Sequence, residues 1–167
     1  TLKVKNSTGT IVRNLASGTS LSLSVLWNGK NDGSVTVPDG TYTVVLNGTG
    51  FSQTKTVVVD NKAPTVTCSW NPSPFNPHSG QTSTLNYTLS ETCVIYIRIY
   101  NSTGSLVRTL LASTTKNAGN YTIVWNGKND ASVVVAAGTY TCRIYATDMA
   151  GNKVNSAGYI TRTVTVQ

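Results

Sequence analysis

The stretch CVIYIRIY (residues 93–100) alternates without a break. Successive side chains of a strand point to opposite sides, so Cys93, Ile95, Ile97 and Ile99 share one face and Tyr96 and Arg98 the other. GTYTCRIYA (138–146) repeats the pattern, with Tyr140, Cys142, Ile144 and Ala146 on its apolar face. TKTVVVD (54–60) and YITRTVTVQ (159–167) are as rich in β-branched residues, and clusters of Gly, Asn, Asp and Pro separate these runs. No segment carries a sustained apolar stripe of helical period. Short strands at regular turn spacing predict an all-β chain built as sandwiches.

The chain also repeats itself. NSTGTIVRNL (6–15) returns as NSTGSLVRTL (101–110), offset by 95 residues. WNGKND (27–32) returns letter for letter at 125–130, and GTYT (40–43) at 138–141, both offset by 98. Matches in this order mean two homologous units in tandem. The joint is VDNKAPTVT (59–67), a stiff connection because it holds a proline and no Gly/Ser spacer. Thr1 aligns with Tyr96, so residues 62–95 have no counterpart in the first unit. They hold two predicted strands, near 65–70 and 83–89. The expected division is an incomplete unit at 1–61 and a complete domain at 62–167.

Within each hexapeptide, Trp27 or Trp125 ends a strand and plugs the rim of a core. Asn-Gly then supports a tight turn with positive φ, and Asn-Asp caps loop N–H groups. Calcium is the rival reading, through Asn28, Asn31 and Asp32 or their equivalents. Ca²⁺ takes six to eight oxygens, usually with several carboxylates, and each hexapeptide has one. The expected metal content is none.

Further motifs agree in order with a known family. NPSPFNP (71–77), STLNYTLSE (83–91), VIYIRIYNSTGSLVRTL (94–110), YTIVWNGKND (121–130) and VAAGTYTCRIYA (135–146) together resemble the immunoglobulin-like domain of the flagellar hook-capping protein family. Nearly all of 64–167 is covered, and residues 1–60 match only the later part. Asn28 and Asn126 stand where the family often has Asp, and Ala131 where Gly is usual. The resemblance implies two tandem immunoglobulin-like or fibronectin-like β-sandwiches, the first lacking its first two strands. Such domains recur in secreted bacterial enzymes and long surface proteins, so it also implies scaffold and attachment roles and carries over no catalytic residue.

Composition bounds the function. Charged residues make up 11 % of the chain against roughly 25 % in soluble proteins, and Thr, Ser and Asn carry the polar surface, a balance common in extracellular and cell-surface proteins. The net charge of +7 is dispersed, whereas nucleic-acid binding concentrates basic residues; weak attraction to acidic polysaccharide is left open. No run reaches the ~18 apolar residues of a membrane helix, so no membrane insertion is expected. With neither an initiator Met nor a signal peptide, the chain reads as a mature product or a piece of one.

The carboxylates Asp32, Asp39, Asp60, Glu91, Asp130 and Asp148 lie mostly in turns, and His78 sits alone in a loop. Neither arrangement resembles acid–base or nucleophilic machinery, so no enzyme activity and no cofactor are expected. Tyr96, Tyr100 and Tyr145 are candidates for a sugar-stacking platform, against the plainer reading that tyrosines favour strands. Asn6, Asn47, Asn86, Asn101 and Asn120 each begin N-x-S/T, a glycosylation acceptor pattern.

Cys68, Cys93 and Cys142 fit no zinc spacing. An antiparallel first pair brings the start of the first strand of unit two near Leu89 and hence near Cys93. A Cys68–Cys93 disulfide joining the sheets is therefore expected, with Cys142 buried and free.

In the first unit, Leu2 and Val4, Leu21, Leu23 and Val25, Tyr42 and Val44, and Val57 and Val59 alternate as though facing a partner sheet. Removing two of about seven strands exposes that face. The expected function is a structural module of a surface filament, stalk or adhesin, its first unit completed by a strand from a neighbouring subunit or another part of the chain. Head-to-tail self-association or packing on neighbouring repeats follows. The alternatives are an accessory spacer, anchoring or polysaccharide-binding region of a secreted enzyme, and a relative of the flagellar hook cap.

Overall fold

The computed structural model describes residues 1–18 and 24–167. Eleven strands appear among them: β1 Leu2–Lys5, β2 Ile11–Ala16, β3 Gly40–Gly48, β4 Phe51–Val59, β5 Val66–Asn71, β6 Ser83–Leu89, β7 Cys93–Tyr100, β8 Leu106–Lys116, β9 Gly119–Trp125, β10 Gly138–Asp148 and β11 Tyr159–Val166. The described helical structure is a single 3₁₀ turn, Pro77–Ser79, capped by the Asn76 side chain. The all-β expectation holds. Chain contacts divide the molecule into Thr1–Lys62 and Ala63–Gln167.

The second unit is a sandwich of a four-stranded sheet, ordered β11-β10-β7-β8, and a three-stranded sheet, ordered β5-β6-β9. Every pairing is antiparallel. The period of two decides what lies inside: Cys93, Ile95, Ile97 and Ile99 are buried on β7, and Tyr140, Cys142, Ile144 and Ala146 on β10. Leu85, Tyr87 and Leu89 meet them from β6. The two strands predicted near 65–70 and 83–89 are β5 and β6. The NPSPFNP segment packs under the rim. Phe75 lies edge-on to Trp125, and its backbone N–H donates to the Thr165 carbonyl at 3.1 Å, tying the segment to β11.

The first unit has one sheet among its described residues, ordered β2-β1-β3-β4. By the repeat, this is the counterpart of β8-β7-β10-β11, strand for strand. Its small core gathers Val4, Val37 and Tyr42, with Trp27, Val44, Val57 and Val59 packed around them. The strand expected through Leu21 and Leu23 lies outside the described residues; Val25, at its end, is half-buried. Among the described residues of 1–62, no strand corresponds to β5 or β6. The consequence is visible on equivalent positions: Ile97, Cys142 and Ile144 are at most 1 % exposed, while Leu2, Val44 and Leu46 are only half-buried.

Candidate functional site

The two hexapeptides build one loop twice, and their oxygens are engaged within it. The Trp27 indole N–H donates to the Lys30 carbonyl at 2.8 Å, and Trp125 to Lys128 at 3.0 Å. Asn28 Oδ1 accepts from the Lys30 N–H and Asn31 Oδ1 from the Val35 N–H; Asn126 and Asn129 do the same for Lys128 and Val133. Asp32 takes both the backbone N–H and the side-chain amide of Asn14, and Asp130 takes the Thr109 N–H. The backbone N–H of Asn14, then its side-chain amide, with Arg13 nearby, holds the Asp32 carboxyl below its ordinary value. The atoms proposed for calcium therefore cap backbone donors that would otherwise be orphaned.

Other singled-out carboxylates act likewise. Asp39 accepts twice from Asn61, Asp60 accepts from the Lys62 N–H, and buried Asp148 accepts from the N–H groups of Ala150 and Asn152. His78 is exposed on the 3₁₀ turn. Among the acceptor asparagines, Asn47, Asn86 and Asn120 are exposed, while Asn6 and Asn101 are half-buried, each accepting two N–H groups in a turn.

The cysteine expectation requires correction. All three thiols are free and buried. Cys93 stands opposite Asp148 in the ladder between β7 and β10, and Cys142 opposite Ile99. Six residues of strand separate the two positions, roughly 20 Å at 3.3 Å per residue. Cys68 lies toward the Cys142 position: its carbonyl accepts from Arg162 Nε at 3.1 Å, and Arg162 is the ladder partner of Cys142. A disulfide needs Cα atoms about 4.4–6.8 Å apart, so Cys68 and Cys93 are not a pair. The turn at 90–92 brings Cys93 close to Leu89 along the chain but carries it into the other sheet. Burial pushes all three thiols up, Cys142 furthest.

The tyrosines form a cluster on the face of β7, β10 and β11 turned away from the core. Tyr145 is the ladder partner of both Tyr96 and Tyr159. The Tyr96 and Tyr145 rings stack at 4.1 Å and 15°, and Tyr159 tilts against Tyr145 at 4.8 Å. The Tyr100 and Tyr145 hydroxyls meet at 3.1 Å. Arg98 lies 4.9 Å over Tyr96, and Arg143 lies 4.2 Å from Tyr100 and 4.9 Å from Tyr159. Sequence reasoning named Tyr96, Tyr100 and Tyr145 and missed Tyr159 and Arg143. One signal was present: Arg-Ile-Tyr occurs in both neighbouring strands, at 98–100 and 143–145. The ring faces are largely occupied within the cluster, which weakens the simple sugar-stacking picture.

Trp70 was also missed as part of the core rim. It packs 6.4 Å from Trp125.

Residues 75–150 match the model of the FlgD Ig-like domain family. That stretch contains four of the five motifs whole, and the resemblance read from them holds there. No curated protein matches the chain. Among solved structures, PorZ of Porphyromonas gingivalis, described as an essential bacterial surface component of the type-IX secretion system, is similar at 18 % identity and TM-score 0.38, over 60 % of this chain and 11 % of that one. Dimeric latent PorU of the same organism is similar at 17 % identity and TM-score 0.47, over 78 % of this chain and 12 % of that one. The chain thus spans about an eighth or less of those proteins. Among the described residues, no helix is long and apolar enough to cross a membrane.

Proposed function

We propose that the chain is a non-catalytic structural module of an extracellular filament, stalk or adhesin. In it, strand-forming polypeptide from a neighbouring copy, or from beyond residues 1–167, covers the open face of the β2-β1-β3-β4 sheet. The observation that carries this reading is the unequal burial of equivalent residues. Leu2, Val44 and Leu46 are only half-buried where Ile97, Cys142 and Ile144 are closed off by the three-stranded sheet. Covering such a face returns about 25 cal/mol for each Å² of apolar surface, and an added strand also satisfies backbone groups of an incomplete sandwich. Each copy that fills one gap and leaves another extends a chain of subunits, so a filament is the natural product. The match to the FlgD Ig-like domain supports a modular role, and the charge-poor, hydroxyl-rich composition supports an extracellular setting.

Sedimentation of residues 1–167 over a wide concentration range, paired with hydrogen exchange, tests the proposal. Self-association is expected, accompanied by rising protection of β1 and β3 amides. Strong protection of both strands in a dilute monomer would mean that the unit is self-sufficient, and the proposal would fall.

A further inference from the structure

Arg98 and Arg143 stand directly opposite one another in the ladder between β7 and β10. Like charges in that position destabilise a sheet. No carboxylate relieves them: neither guanidinium forms an ion pair among the described residues, and the Nε of each is buried without a hydrogen-bond acceptor. Their positions are held by tyrosine rings, through contacts of 4.9 Å from Arg98 to Tyr96 and 4.2 Å from Arg143 to Tyr100. Stacking of this kind fixes the planar fork while leaving its charge unneutralised. The surrounding positions carry hydroxyls: Thr161 is the partner of Arg143 on β11, Thr109 the partner of Arg98 on β8, and Tyr145 adjoins Arg143.

We propose that this face binds a uronate-bearing polysaccharide. A sugar carboxylate seats between the two guanidinium forks, and ring hydroxyls bond the flanking threonine and tyrosine hydroxyls. Charge complementarity selects an anion, because two fixed cations on one side of the sheet lack a counter-charge. The position in the sheet selects against a peptide. β7 and β10 are inner strands of the order β11-β10-β7-β8, so their backbone groups are already paired and no strand can add alongside them. Recognition here runs through side chains, and the hydroxyl-rich border suits a polyol. The site lies wholly in the second unit and is independent of whether the first unit polymerises.

The experiment uses the whole chain and three polymers at about 50 mM salt, where exposed charges are weakly screened: polygalacturonate, neutral galactan and polyglutamate. Because the protein carries a net +7, any polyanion attracts it to some degree. The decisive comparison is therefore between two variants of equal net charge, Arg98→Gln/Arg143→Gln and Lys55→Gln/Lys62→Gln. Polygalacturonate affinity is expected to fall at least about tenfold in the arginine variant, and no more than about twofold in the lysine variant. If the arginine variant unfolds, as judged by circular dichroism, Arg98→Lys/Arg143→Lys replaces it. That protein keeps both charges without the planar fork, and a loss of about tenfold is again expected. Equal losses in the arginine and lysine variants would reduce the effect to net charge and overturn the proposal. So would an unchanged affinity in the Lys replacement, or no binding of polygalacturonate at all. Galactan binding as tightly as polygalacturonate would overturn the role of the carboxylate, and polyglutamate doing so would overturn the assignment to carbohydrate.

Discussion

Trp125 closes its own loop by donating to the Lys128 carbonyl at 3.0 Å, and Trp27 makes the same bond to Lys30 at 2.8 Å. The two hexapeptides are one device, and their surroundings differ. Trp125 is 1 % exposed and touches Trp70, Phe75 and Tyr140. Trp27 is half-buried and meets Tyr42 edge-on at 5.3 Å. The added neighbours of Trp125, Trp70 and Phe75, come from residues 62–95, which the repeat in residues 1–61 does not include.

Trp125→Ala should therefore cost about 3–5 kcal/mol and unfold the second unit at lower temperature. Trp27→Ala removes less buried surface, and about 1–3 kcal/mol is expected. Thermal unfolding of the two proteins, followed by tryptophan fluorescence and by amide exchange in each unit, provides the comparison. An unchanged midpoint for Trp125→Ala would contradict its place in the core.

Gly127 and Gly29 occupy the same position in the two loops, with φ of 69° and 71°. Replacing Gly29 by Ala should cost about 1–2 kcal/mol for the left-handed backbone alone, since a Cβ there meets nothing within 4 Å. At Gly127 the same Cβ would lie 2.5 Å from Pro77 Cβ, adding about 1–3 kcal/mol of overpacking. Urea titration of both variants checks this. Equal costs would mean that the NPSPFNP segment does not seat on the second loop.

Asp32 titrates below its ordinary value of 3.8 because the Asn14 backbone N–H bonds its charged form, helped by the Asn14 side chain and Arg13. A depressed carboxylate contributes stability that is present above the unfolded pKa and lost as pH falls through the folded one. The loop should thus hold to about pH 4 and loosen below it. The Asn14 amide resonance should follow Asp32 with a midpoint under 3.8, and Asp32→Asn should abolish the transition. A midpoint at or above that value would exclude the bond.

The three thiols should be silent to a disulfide reagent at pH 8 in the folded protein and react fully in urea. Burial both hides them and disfavours the thiolate, and at Cys93 the neighbouring Glu91 and Asp148 add to that. A non-reducing peptide map should show no Cys68–Cys93 link. Finding that link would refute the register given for β7 and β10.

The sequence by itself determined the strand class, the tandem repeat and the inward face of each repeated strand. Alternation and duplication are local: Ile95, Ile97 and Ile99 declare a shared side whatever lies opposite them. It also showed that residues 1–61 repeat only the later part of the second unit, from Tyr96 onward, since the extent of a repeat needs no coordinates to be seen. Only the tertiary structure decided what stands across from what. Cys68 looked close to Cys93 because the chain between Leu89 and Cys93 is short, but that turn crosses from one sheet to the other. Arg98 and Arg143 lie far apart in sequence and become neighbours through the β7–β10 register, and the β10–β11 register brings Tyr159 to the same cluster. Register and the placement of one sheet on another are set by many side chains acting together, so no single stretch of sequence carries them.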